Sequence, residues 1–159
     1  MTRQTLLYTA IGVTLAVGGI ALWRSPALSE EDKVRAAITA ISDGAKEADV
    51  AATLEPISKN YRGEENTGHP EIAAFLYGQF RRSGPISAWL GPINVTINKP
   101  EAHADFDAVL ADWDGGILPA NADGWHFEVD LMLEEGTWRV VSHTREGLDG
   151  VPDGYVPGK

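Results

Sequence analysis

The spacing of apolar residues changes along this chain, near residue 86, from a helical period to strict alternation. In the earlier part, apolar residues recur every three or four positions, as on one face of a helix. In the later part they take every other position, as on one face of a strand, most clearly in residues 125–134. Helices first and strands afterwards are typical of an α+β domain, in which helices cover one side of an antiparallel sheet.

Residues with strong conformational preferences mark the ends of these elements. Helices are predicted to begin after Ser29 and Asp49 and at Pro70, which are favoured starting residues. Four strands are predicted over residues 93–97, 102–112, 125–134 and 137–145, with tight turns at 99–101 and 134–136. The predicted fold is therefore α+β and cone-shaped, with helices on one face of a curved four-stranded antiparallel sheet.

Alternation also predicts the direction of each side chain in a strand. In the third predicted strand, His126 and Asp130 lie between apolar positions and should face away from the core. In the fourth, counting on from the apolar Val140 places Ser142 on the inner side and His143 on the outer side.

Residues 5–23 carry no charge and are bounded by Arg3 and Arg24. As a helix this stretch would be about 28 Å long, close to the ~30 Å hydrocarbon thickness of a bilayer. The sequence therefore predicts a transmembrane helix that attaches the chain to a membrane. The side chains expected to contact lipid include Leu6, Ile11, Leu15, Val17, Ile20, Leu22 and Trp23.

The short N-terminal tail predicts a cytoplasmic N-terminus and a domain exported to the periplasmic side, as a single-pass membrane protein. Two alternatives stay open: cleavage as a signal peptide, which would give a secreted domain, and burial as a core helix. The chain thus divides into an anchor with its flank at 1–28, a domain at 29–146 and a Gly/Pro-rich tail at 147–159.

Composition excludes several classes of function. The chain has no cysteine, and so no disulfide, thiolate metal site or cysteine nucleophile. It carries 23 acidic against 13 basic residues, a formal charge of −10, and Arg3 and Arg24 both lie outside the predicted domain. Such a surface repels phosphate backbones, which argues against nucleic-acid binding; it suits solubility or a cationic partner.

The order and content of the elements over residues 30–146 resemble the nuclear transport factor 2-like superfamily, the cystatin-like or SnoaL/ketosteroid isomerase-type fold. The segments that carry this resemblance are 34–63, 72–80 and 124–144. A recurrent feature of the superfamily is the ending Glu134-x-Gly136-x-Trp138-Arg139-Val140-Val141. The resemblance implies a cavity between sheet and helices. It also implies a homodimer through the outer sheet face, where Val109, Met132 and Val141 are the available apolar residues.

Enzymes of that superfamily resemble ketosteroid isomerase and scytalone dehydratase, whose chemistry needs a buried carboxylate or histidine base facing a hydrogen-bond donor. The bases considered are His126 and Asp130, which are predicted to face outwards, together with Asp112 and His143. Tyr61 is the candidate donor. Asp112, His143 and Tyr61 are kept as candidate catalytic residues, although the predicted orientation of the strands does not bring them together.

Four aromatic residues are candidates for binding an apolar small molecule: Tyr61, Trp89, Trp113 and Trp125. Trp89 and Trp113 fall in predicted loops, where they would gate a cavity, form a partner patch or plug the open end of the cone. The sequence lacks zinc, calcium-loop and nucleotide-binding motifs, so neither a metal nor a cofactor is predicted.

The sequence predicts a membrane-anchored, non-enzymatic binding or interaction domain with an apolar pocket. The alternative is a small cofactor-free isomerase, lyase or dehydratase acting on an apolar substrate, and a third reading is a structural domain with a filled cavity. A cavity lined by apolar residues alone would favour binding, whereas an inward-facing Asp112 or His143 would favour the enzyme.

Overall fold

The computed structural model describes residues 27–63, 67–111, 124–150 and 152–153 of the chain. In these residues the helices are α1 (Glu30–Lys46), α2 (Val50–Leu54) and α3 (His69–Ser83). The strands are β1 (Ser87–Leu90), β2 (Asn94–Asn98), β3 (Glu101–Ala111), β4 (Gly124–Glu134) and β5 (Thr137–Leu148). The predicted α+β order, helices before sheet, is confirmed.

Local capping explains where the helices begin. The Ser29 hydroxyl accepts a hydrogen bond from the Asp32 amide at 3.1 Å, and the Asp49 carboxylate accepts one from the Ala52 amide at 3.0 Å. These side chains satisfy amides that have no partner within the helix. In α3 a proline occupies the first turn, where its missing N–H costs nothing.

The sheet is antiparallel, and its strand order is β1-β3-β4-β5 with β2 also paired to β3. β1 and β2 therefore lie one after the other along the same edge of β3. The described residues thus form five strands rather than the four predicted. β1 was missed because it is only four residues long, with no alternation of apolar and polar residues, and Trp89 lies within it rather than in a loop.

Both predicted hairpin turns are present. Glu135 and Gly136 connect β4 to β5, and both have positive φ, 49° and 83°, as a two-residue hairpin turn requires. Lys99 and Pro100 connect β2 to β3. β5 continues to Leu148, three residues beyond the predicted end of that strand.

The register between β4 and β5 shifts by one residue beyond the hairpin. Leu131 pairs with Val140, whereas the preceding Asp130 pairs with Ser142, so that Val141 is an extra residue on β5. Such a β-bulge interrupts the alternation of side chains along one strand only.

The bulge makes the predicted orientation of the end of β5 wrong. His143 pairs with the buried Val129 and lies on the inner side, not the outer. Ser142 and Thr144 lie on the outer face, where their hydroxyls donate to carboxylates of β4. A single inserted residue is enough to exchange the two faces downstream.

The helices cover one face of the sheet and form the core with it. Its buried members include Val34, Ile38, Ala104, Leu131, Trp138 and Val140. The Trp138 indole N–H also donates to the Glu30 carboxylate at 3.0 Å, which ties the start of α1 to β5.

No helix in the described ranges has both the length and the apolarity needed to cross a bilayer. The predicted anchor at residues 5–23 lies outside those ranges.

Candidate functional site: an apolar cavity with a tyrosine–histidine pair

A cavity of about 340 Å³ lies between the helices and the inner face of the sheet. The sheet contributes Ala88, Leu90, Phe106, Ala108, Leu110, Phe127, Val129 and Val140 to its wall. The helices contribute Ile38, Ile41, Ala45, Ile72, Phe75 and Leu76. Among the described lining residues, the polar side chains are those of Ser42, Tyr61 and His143. The wall is therefore apolar, with few and localised polar groups.

Tyr61 and His143 form a pair in this wall. The Tyr61 hydroxyl and Nδ1 of His143 are hydrogen-bonded to each other, and the rings stack with centroids 5.9 Å apart. Tyr61 is 1% exposed. A phenol and an imidazole together both donate and accept hydrogen bonds, so the pair can bind an oxygen atom or transfer a proton.

The pair continues a row of aromatic rings along the inner face. Phe106 and Phe127 are directly paired across β3 and β4 and stack with centroids 5.6 Å apart. The Phe127 ring lies 6.0 Å from that of His143, which in turn stacks on Tyr61. One side of the cavity thus presents four rings in succession, a surface that suits flat apolar groups.

Tyr61 reaches the pair because the segment before it runs along the edge of β5. The Ser58 amide donates to the Val140 carbonyl and the Arg62 amide to the Val141 carbonyl, both at 2.9 Å. The second acceptor is the carbonyl of the bulged residue. The β-bulge therefore both turns His143 inwards and helps to hold the segment that supplies its partner.

The other described candidates for binding, Trp89 and Trp125, do not line this cavity. Trp125 is the second residue of β4, and the Arg145 guanidinium lies 4.9 Å from its ring centroid, a cation–π contact. Trp89 pairs in register with Val109. Asp112 and Trp113 lie outside the described residues. The structure therefore brings together Tyr61 and His143 of the candidate residues that it describes.

Three phenylalanines outside the predicted set of binding residues also line the cavity. Phe106 and Phe127 form its aromatic side, as their place in the alternating strands could have suggested. Phe75, which is 61% exposed, lines it from α3.

The outer face of the sheet is polar, as predicted for His126 and Asp130. His126 Nδ1 lies 2.8 Å from the Asp107 carboxylate, and this hydrogen bond raises the pKa of His126 above its usual value. His103 Nδ1 lies 2.9 Å from the Asp130 carboxylate, and that bond is the main cause that lowers the pKa of Asp130. Of the apolar residues expected on this face, Val109 is buried, with 1% of its surface exposed.

No group of three or more histidine, aspartate or glutamate side chains in the described part of the chain is arranged to hold a metal ion. The polar groups on the two faces of the sheet occur mainly as hydrogen-bonded pairs. The chemistry that the described cavity wall offers is apolar contact together with one phenol–imidazole pair and the hydroxyl of Ser42.

Solved structures share this architecture. A nuclear transport factor 2-like protein with a cystatin-like fold from Novosphingobium aromaticivorans has a TM-score of 0.62 and 21% identity, over 89% of this chain and 90% of its own. One of unknown function from Pseudomonas putida has 0.63 and 15%, over 77% and 96%. A candidate dehydratase of the same family from Streptomyces avermitilis has 0.63 and 11%, over 74% and 94%.

An α+β domain with a cavity between its helices and the inner face of its sheet is the class of protein that the fold and the site define. The chain has the nuclear transport factor 2-like fold, as the resemblance of its sequence implied. Neither a family profile nor a curated protein sequence matches it. The fold hosts isomerases, dehydratases and binding proteins, so function has to be argued from the cavity.

Proposed function

We propose that this domain binds an uncharged, largely apolar small molecule in the cavity, with an oxygen atom of that molecule against the Tyr61–His143 pair. The observation that carries the proposal is the composition of the wall, which is apolar except for a few localised polar groups. A volume of about 340 Å³ lies within the usual range for ligand pockets, roughly 300–1,000 Å³. Apolar walls supply affinity, and a few placed polar groups orient the ligand.

Titration with the uncharged fluorescent probe N-phenyl-1-naphthylamine tests this proposal. The wild-type chain should bind the probe saturably, and Ala88→Phe, which fills the cavity from β1, should weaken binding at least tenfold. The matched control is Thr96→Phe, an exposed site on the neighbouring β2 that does not line the cavity. Equal affinities for all three proteins, or no saturable binding by the wild type, would contradict the proposal.

A second candidate function is acid–base catalysis on the bound molecule, as an isomerase, lyase or dehydratase. It is favoured by the inward orientation of His143, because an imidazole in an apolar cavity can remove and return a proton. Tyr61 would then donate to an oxygen on which charge develops. Molecules that bind in the cavity can be used to decide between the two functions. After incubation with the domain, mass spectrometry and NMR of the recovered molecules should show them unchanged if the domain only binds.

We also propose that residues 5–23 anchor the domain at the exported side of a membrane. The support is the uncharged apolar stretch in the sequence. In membranes washed with alkaline carbonate, the full chain should stay in the pellet, whereas a chain that begins at Ser29 should be released. Release of the full chain by the wash would rule out the anchor.

A further inference from the structure

We propose that Ser58 is the positioning residue of the Tyr61–His143 pair, and that through this placement it sets the preference of the cavity for oxygen-bearing ligands. Ser58 is 0% exposed and lies outside the cavity wall. A hydroxyl buried to that degree must be hydrogen-bonded or it destabilises the fold. Its partners show what it holds in place.

The first partner is a carboxylate at the end of the β4–β5 hairpin. The Ser58 hydroxyl donates to Oε1 of Glu134 at 2.7 Å, across 76 positions of sequence. Hydrogen bonds to ionised groups are the stronger ones in proteins. This bond fixes the segment before Tyr61 to the hairpin whose second strand carries His143.

The remaining bonds of Ser58 shape the turn that leads to Tyr61. The hydroxyl oxygen accepts the Asn60 amide at 3.0 Å, and the Ser58 carbonyl accepts the Tyr61 amide at 3.1 Å. The amide of Ser58 donates to Val140 on β5. Ser58 is thus hydrogen-bonded both within the turn that carries Tyr61 and to the strand that carries His143.

Little space is left around the phenol ring of Tyr61, so the position of the ring depends closely on that of the segment. A Cβ added at Gly63 would lie 2.4 Å from the Tyr61 hydroxyl and 3.0 Å from its ring, so the backbone of the segment passes directly over the ring edge. A small displacement of the segment would therefore move the hydroxyl away from Nδ1 of His143. Removing the Ser58 hydroxyl allows such a displacement without removing any atom of the pair.

The inference rests on the proposed function for the choice of ligand, whereas the placement of the pair is tested with no ligand. The readout without ligand is the ring ¹H–¹³C NMR signal of His143, one of four histidines in the chain, assigned with His143→Gln. Ser58→Ala should shift this signal and leave that of His126 unchanged. The matched control is Ser142→Ala, which removes a serine–carboxylate bond of 2.8 Å next to His143 but on the outer face.

The readout with ligand is the ratio of affinities for 2-naphthol and naphthalene, measured by displacement of N-phenyl-1-naphthylamine. The wild type should prefer 2-naphthol, and Ser58→Ala should lower that preference at least threefold with naphthalene affinity unchanged. Ser142→Ala should keep the wild-type ratio. If the wild type binds neither compound, the proposed function fails, and the NMR signals still decide the positioning role.

A pair of variants at Glu134 keeps the inference testable if Ser58→Ala does not fold. Glu134→Gln retains an oxygen acceptor for the Ser58 hydroxyl and should preserve the His143 signal, whereas Glu134→Leu should shift it. An unshifted His143 signal in Ser58→Ala would overturn the positioning role. Equal shifts of all histidine signals would also overturn it, because they would indicate general loosening of the fold.

Discussion

The two faces of the sheet differ in the interactions that stabilise them. On the inner face of β4, Val129 and Leu131 are buried against the helices. On the outer face of the same strand, Glu128 and Asp130 are exposed and bonded to hydroxyls of β5. Burial of apolar surface therefore stabilises the inner face, whereas local polar pairs in contact with water stabilise the outer face.

The histidines show what this difference means for function. His103 and His126 lie on the outer face, each beside a carboxylate and open to solvent. His143 lies on the inner face, between a tyrosine and a phenylalanine. The same side chain therefore forms a solvent-exposed hydrogen-bonded pair with a carboxylate in one place and lines an apolar cavity in the other, and its surroundings decide which.

The largest expected effect comes from a pair of neighbours on opposite faces. Leu131 is 1% exposed, so Leu131→Ala leaves a cavity in the core and should lower the free energy of unfolding by about 3 kcal/mol. Met132→Ala, at the next position on the outer face, should cost about 1 kcal/mol or less. Urea denaturation of both variants measures the difference, and equal losses would show that the two faces are not energetically distinct.

The contrast between the faces was predictable from the sequence wherever alternation is unbroken. The pattern of β4 assigned Leu131 to the core and Asp130 to solvent correctly. It failed after Val140, because the residue inserted at 141 is a valine and carries none of the glycine signals that often mark a bulge. The candidate site depends on that residue, so the fold could be predicted and the inward position of His143 could not.

The contact between Tyr61 and His143 could not be predicted from the sequence, for a second reason. The two residues are 82 positions apart, and Tyr61 follows no periodic element that would fix its direction. Its place is set by backbone bonds to β5 and by the Ser58–Glu134 bond, which are long-range contacts. Such contacts leave no local pattern of spacing in a chain.

A smaller effect should appear on the outer face and depend on pH. Asp107 raises the pKa of His126, so the stability contributed by this pair is fully present below the unfolded pKa, near 6.5, and is lost as the pH rises through the folded pKa. Asp107→Asn should therefore destabilise the chain at pH 5.5 and have little effect at pH 8.5. Because both side chains are more than one-third exposed, the loss should stay below about 1 kcal/mol.

The control is the same substitution two positions earlier on the same strand. Asp105 is paired in register with Glu128, a like charge, and its bonded partner is the side-chain amide of Asn94. At pH 8.5, Asp105→Asn should thus stabilise the chain by a few tenths of a kcal/mol, since like charges directly opposite are unfavourable. At pH 5.5 the gain should be smaller, because the charge of Asp105 also helps to raise the pKa of His126, though less than Asp107 does. Urea denaturation of the two variants at each pH measures this. A loss of stability at pH 5.5 in Asp105→Asn as large as that in Asp107→Asn would mean that the outer face responds as one charged surface rather than as separate pairs.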